Sequence, residues 1–139
     1  MAAKQRVLFL CIGNSCRSQM AEGLLRHLAG DRYEAHSAGI MESHLRPETV
    51  DAMREIGIDI SRQHSKKADV YEGQPFDIVV TTCDEAKEAC PMFPGAKRTI
   101  HWSIPDPVGK GPAAYRAARD QLKELIERDL LRPGVEGRR

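Results

Sequence analysis

A cysteine followed six positions later by an arginine, with small polar residues between them, can place a nucleophile inside an anion site. Residues 11–18 of this chain have that form: Cys11, Ile12, Gly13, Asn14, Ser15, Cys16, Arg17, Ser18. A loop of this length running into a helix turns successive backbone N–H groups inward. Those donors and the helix dipole suit a tetrahedral oxyanion. Arg17 would add its planar fork of donors. An ordinary free thiol is only about 3% thiolate at neutral pH. Among N–H donors, at a helix N-terminus and beside an arginine, a thiol is held far more in its ionised, nucleophilic form. Cys11 is therefore the candidate nucleophile, and the Ser18 hydroxyl is a candidate hydrogen-bond donor to it. Asn14 is read as a brace for the loop through its amide.

Two further features carry chemistry. Asp106 stands between Pro105 and Pro107 and is the candidate general acid for a departing oxygen. Cys83 and Cys90 form a second thiol pair. Seven residues of α-helix span about 10.5 Å, whereas a disulfide needs Cα atoms within about 7 Å. A helix over 83–90 must then unwind to close that bridge, so the expectation is helix when reduced and loop when oxidised. Equal hydrogen-exchange protection across 84–89 in both redox states would exclude that switch.

These residues lie far apart, and the elements between them must bring them together. Residues 6–11 read as a buried strand, with Val7, Leu8, Phe9 and Leu10 in a row. Residues 19–29 read as a helix with Met20, Leu24, Leu25 and Leu28 on one face. A short strand follows over 33–38 and leads into Ser37-Ala38-Gly39. Pro47 and Glu48 open a second helix, with Val50, Met53 and Ile56 as its apolar stripe and Gly57 as its stop. Residues 58–65 read as irregular, followed by a short helix through Val70. A third strand covers 76–82, a helix-prone segment 84–89, and a fourth strand 98–103. The last helix opens at Gly111-Pro112, buries Tyr115, Ala118, Leu122, Leu125 and Ile126, and closes at Arg132-Pro133-Gly134.

Alternating strands and helices imply an α/β fold, with a parallel sheet inside three α/β/α layers. The expected strand order is 2-1-3-4, which sets strands one and three side by side at a switch point. Cys11, Cys83 and Asp106 then meet at the carboxyl ends of strands one, three and four.

The 139 residues fit one domain spanning 1–139. With 21 basic and 20 acidic residues, the chain has no charge excess that would argue for nucleic acid or a membrane surface. No apolar run approaches the roughly 18 residues of a membrane span. Residues 1–6 lack the apolar core of a signal peptide, so a cytoplasmic location is expected. Disulfides are rare there, which favours catalytic, redox or metal-binding roles for four cysteines. The five histidines show no metal-ligand pairing. The glycines match no dinucleotide fingerprint. His101 and Trp102 either line the pocket floor or simply pack.

The run from Cys11 to Ser18, with Asp106-Pro107, resembles the phosphate-binding and acid loops of the low-molecular-weight protein tyrosine phosphatases. The longer run from Cys11 through Gln19-Met20-Ala21-Glu22-Gly23, Ser37-Ala38-Gly39 and the Cys83/Cys90 pair is more similar still to the thioredoxin-coupled arsenate reductases, which share that fold. The resemblance covers residues 5 to 130. It implies a three-thiol relay: Cys11 attacks arsenate, Cys83 attacks Cys11 and releases arsenite, Cys90 attacks Cys83, and thioredoxin reduces the Cys83–Cys90 disulfide. It also implies phosphate or sulfate as substrate analogues, no bound cofactor, a monovalent cation such as potassium near Asn14 and Glu22, and a monomer. Cys16 has no place in the relay and is read as a loop residue open to adventitious oxidation.

Two other readings compete. A tyrosine phosphatase would use the same loop through a phosphocysteine at Cys11. It would normally carry aromatic residues after the Asp-Pro, however, and here Val108-Gly109 follows. A non-enzymatic sensor could bind a soft metal or arsenite through the cysteines. Cys11-x4-Cys16 and Cys83-x6-Cys90 are not usual zinc spacings, and that role leaves Arg17 and Asp106 unexplained.

Overall fold

The computed structural model describes residues 4–41, 43–84 and 96–131. Its centre is β1 (Gln5–Cys11), in which Val7, Leu8, Phe9 and Leu10 are all fully buried. An unbroken apolar run of this kind suits an inner strand of a parallel sheet, which has no solvent face. β1 pairs in parallel with β2 (Tyr33–Gly39) from Gln5↔Tyr33 to Cys11↔Gly39. On its other side it pairs with β3 (Ile78–Thr81) from Val7↔Ile78 to Leu10↔Thr81. β4 (Arg98–His101) completes the sheet in the expected order 2-1-3-4.

Side chains alternate across β1. Val7 and Phe9 join a core with Met20, Leu24 and Leu25 of α1 (Arg17–Ala29), Ala52 and Met53 of α2 (Pro47–Arg54), and Tyr115, Leu122 and Ile126 of α3 (Pro112–Ile126). A π-helical turn, Glu127–Leu131, extends α3 and adds Leu130 to that core. Leu8 and Leu10 face the other way, into a smaller cluster with Ala68 and Tyr71 of a 3-10 turn (Ala68–Tyr71), Phe76, Val79, Cys11 and Cys83. The connection from β2 to β3 thus begins on one face of the sheet and ends on the other.

Several boundaries differ from the sequence reading. α1 starts at Arg17 rather than Gln19, because the Met20 N–H already reaches the Cys16 carbonyl at 2.8 Å. α2 ends at Arg54, which leaves Ile56 37% exposed; Ala52 and Met53 carry the buried stripe. β4 stops at His101 rather than Ser103, and one last N–H, from Trp102 to the Thr81 carbonyl at 2.8 Å, ties the chain to β3 before the proline-rich loop leaves the sheet. Residues 85–95, which include most of the expected helix-prone segment and Cys90, lie outside the described residues. The expected close at residues 132–134 does too. Among the described residues, no helix is long and apolar enough to cross a membrane.

Candidate active site

The carboxyl end of β1 opens directly into the loop 11–17, and α1 begins at Arg17. Among the described residues, the N–H groups of Gly13, Asn14, Ser15 and Cys16 donate to no carbonyl. They are left as donors beside Cys11, as an anion cradle requires.

The rest of the protein holds the loop from outside. Asn14 has φ 51°, a left-handed conformation that asparagine tolerates better than most residues. Ile40 and Met41, just past β2, donate their N–H groups to the carbonyls of Cys11 and Ile12 at 3.1 and 3.0 Å. Gly39 permits that approach. A Cβ there would lie 2.6 Å from the Ile12 oxygen and 2.8 Å from the Asn14 nitrogen. The Ser65 hydroxyl donates to the Gly13 carbonyl at 2.8 Å. The Thr49 hydroxyl and the Arg46 N–H both donate to the Ser15 carbonyl, at 3.1 and 3.2 Å.

A relay of side chains ends at the nucleophile. The Lys66 backbone N–H donates to Asn14 Oδ1 at 2.9 Å, and a backbone N–H cannot accept. This fixes the orientation of the Asn14 amide, whose Nδ2 donates to Ser18 Oγ at 2.8 Å. Gln19 Nε2 adds a second donor to Asn14 Oδ1 at 3.0 Å, and Gln19 is oriented in turn by Gln63 Nε2 at 2.7 Å from its Oε1. With the Asn14 amide donating to Ser18 Oγ, the hydroxyl proton is available to Cys11 Sγ, 2.8 Å away. A donor there stabilises the thiolate and not the thiol. Cys11, Asn14 and Ser18 are all nearly or wholly buried.

Arg17 is 5% exposed, and its Nη1 donates to the Ile104 carbonyl at 2.9 Å. The guanidinium thus joins the anion loop to the loop that carries Asp106. Asp106 is exposed, its Oδ1 accepts from the Val108 N–H at 3.1 Å, and its Oδ2 makes no hydrogen bond among the described residues. A cavity of about 230 Å³ is lined by Cys11, Arg17, Asp106, Arg46, Met41 and Val108 among others. Cys83 lies just past β3, 1% exposed, in the same buried cluster as Cys11. The neighbouring Thr82 N–H donates to the Leu10 carbonyl at 2.8 Å, which sets Cys83 beside the end of β1. Cys90 lies outside the described residues.

Cys16 shares the loop but not the environment of Cys11. It is 2% exposed and packs into the larger core, and burial raises its pKa. Its thiol is kept neutral and shielded, which argues against easy oxidation. Beneath it, Tyr115 is pushed up to about 12 by burial and by the neighbouring thiol.

Asn14 and Glu22, expected near a monovalent cation, already have partners. Asn14 Oδ1 accepts the two hydrogen bonds described above. Glu22 Oε1 accepts from the Ser37 hydroxyl, and Glu22 Oε2 pairs with Arg26 Nη2 at 2.6 Å. The positive charge beside Glu22 is a guanidinium of the chain itself. Among the described residues, no cluster of three His, Cys, Asp or Glu forms a metal site.

Trp102 packs against Phe9 and donates its indole N–H to Asp129 at 2.8 Å, away from the cavity. His101 bridges Thr81 Oγ1 at 2.7 Å and Asp84 Oδ1 at 2.8 Å. The cavity residues that sequence reasoning missed are Arg46, Met41 and Ser43. Their only local signal is position, between Ser37-Ala38-Gly39 and Pro47.

The comparisons with known proteins agree with this geometry. The chain is 40% identical over 124 residues to arsenate reductase 2 of Staphylococcus epidermidis, an alignment covering 89% of this chain and 95% of that protein. A solved structure of an arsenate reductase in an oxidized state superposes with a TM-score of 0.82 at 31% identity, covering 89% of this chain and 95% of that one. Another, described as an arsenate reductase in the phosphate binding state, gives 0.79 at 32% identity with the same coverage. Residues 6–132 match the family described as low molecular weight phosphotyrosine protein phosphatase. With its anion loop at the end of β1 and its 2-1-3-4 sheet, the chain belongs to the low molecular weight phosphotyrosine protein phosphatase family.

Proposed function

We infer that this protein is an arsenate reductase that works by a thiol relay and is regenerated by thioredoxin. The observation that carries the reading is the shared buried cluster of Cys11 and Cys83 beside a loop of unengaged N–H donors, in a chain 40% identical to curated arsenate reductases.

Arsenate sits in the loop, its oxygens on the N–H groups and on Arg17. The Cys11 thiolate attacks arsenic and forms an S–As bond. Asp106 gives its proton to the departing oxygen, which leaves as water. The Cys83 thiolate then attacks Cys11 Sγ. The S–As bond breaks, its electron pair goes to arsenic, and arsenic(V) becomes arsenic(III) while Cys11 and Cys83 are oxidised to a disulfide. Cys90 attacks Cys83, which frees Cys11 as thiolate and moves the disulfide to Cys83–Cys90. A thioredoxin dithiol supplies the two electrons that reduce it.

The phosphatase alternative is less well supported, because no aromatic side chain lines the cavity among the described residues. The deciding experiment measures arsenite production with thioredoxin, thioredoxin reductase and NADPH, beside hydrolysis of an aryl phosphate. Cys83→Ser is expected to abolish arsenate turnover and to spare any phosphatase activity. Survival of arsenate turnover in that variant would sink the relay.

A further inference from the structure

We propose that Arg46 is a second oxyanion clamp in the same cavity as the loop's own arginine, setting the preference of the site for dianions.

Arg46 lines the same cavity as Cys11, Arg17 and Asp106. Its Nε is buried and has no hydrogen-bond partner. No ion pair or side-chain hydrogen bond engages its guanidinium among the described residues, whereas Arg6, Arg26, Arg116, Arg119 and Arg128 are all paired with carboxylates. A buried guanidinium nitrogen without a partner costs folding free energy. Arg46 carries that cost where it lines the cavity, and a bound anion would give its guanidinium a partner.

The backbone of Arg46 is fixed. Its N–H donates to the Ser15 carbonyl at 3.2 Å, and its own carbonyl accepts from Thr49 and Val50 at 3.0 and 3.2 Å in the first turn of α2. Because Arg46 is bonded to the anion loop itself, its backbone is tied to the loop that carries Cys11. Pro47 at the first helical position further limits its freedom.

The charges require a second cation. Arsenate and phosphate are largely dianionic at neutral pH, and Cys11 attacks as a thiolate. These negative charges repel one another in a partly desolvated pocket. Arg17 supplies one positive charge against them, and one N–H of its Nη1 is taken by the Ile104 carbonyl. Arg46 adds a full charge and unspent donors. Its guanidinium can take two oxygens in parallel, a geometry a lysine cannot match.

The proposal deepens the arsenate reading, but anion binding tests it separately from turnover. Inorganic phosphate is titrated calorimetrically into the reduced full-length protein and into Arg46→Gln, Arg46→Lys and Arg62→Gln. Arg62 is an exposed arginine outside this cavity and controls for overall charge. The expectation is phosphate affinity about tenfold or more weaker in Arg46→Gln, a smaller loss in Arg46→Lys, and no change in Arg62→Gln. In the arsenate assay, the KM of Arg46→Gln should rise by a similar factor. Unchanged phosphate affinity in Arg46→Gln, or an equal loss in Arg62→Gln, overturns the proposal. If Arg46→Gln fails to fold, Arg46→Lys alone decides: affinity equal to wild type overturns it. Weakened phosphate binding in a protein that reduces no arsenate would uphold the clamp and reject the arsenate reading instead.

Discussion

The Ser18 hydroxyl lies 2.8 Å from the Cys11 sulfur and accepts a hydrogen bond from the Asn14 amide, which leaves its own proton available to the sulfur. Ser18→Ala is expected to slow iodoacetamide alkylation of Cys11 at pH 7 and to lower kcat about ten- to a hundredfold, the usual reach of one hydrogen bond to a charged group. Asn14→Ala should do the same less directly, by letting the hydroxyl rotate. An unchanged alkylation rate in Ser18→Ala would mean that the hydroxyl does not serve the sulfur.

Gly39 is the floor under the anion loop. An added methyl would meet the Ile12 oxygen at 2.6 Å and the Asn14 nitrogen at 2.8 Å, both backbone atoms that cannot swing aside. Gly39→Ala is expected to cost about 1–3 kcal/mol of stability, as overpacking commonly does. It should also weaken phosphate binding by displacing the loop. Urea unfolding measures the first effect and phosphate titration the second. Wild-type values in both would show that the loop yields freely.

Tyr115 links stability to alkaline pH. Burial lifts its phenol to about 12 in the folded state, against about 10 when unfolded. The folded state therefore keeps this proton longer. The contribution is fully present below pH 10 and is lost as pH rises from about 10 to about 12. Cys16, raised by burial as well, adds a loss in the same direction from its lower unfolded value. Tyr115→Phe should flatten the fall of Tm above pH 10 and remove the last step of a tyrosinate absorbance titration. A titration that retains that step would assign it to another tyrosine.

The segment from Val7 to Met20 was open to local reading because strand, loop and helix signals are contiguous there. Each side chain of the cradle lies within eight positions of Cys11. The strand order followed from strands alternating with helices and from the right-handedness of parallel connections. Residues outside those signals were less readable. The sequence reading carried the stripe of α2 on to Ile56, but helical spacing cannot say where a helix stops when the next residues are equally soluble. Trp102 was left open between pocket and core, and its indole partner, Asp129, lies in another element 27 positions on.

The amino-acid order alone therefore pointed to the candidate nucleophile, the candidate anion loop and the parallel sheet, since each rests on neighbours in the chain or on a short-range period. Only the tertiary structure decided which residues line the cavity with Cys11. Arg46 precedes a proline at a helix start, which by itself reads as a helix boundary. Folding bonds its backbone to Ser15 and places it on the cavity that Cys11 lines. Glu22 reads from sequence as an oxygen ligand for a cation, and the fold sets Arg26 and Ser37 against it. A carboxylate or guanidinium takes its role from the charges that packing brings near it. Those charges come from α2, β2 and the loops beyond them, and no local spacing encodes their approach.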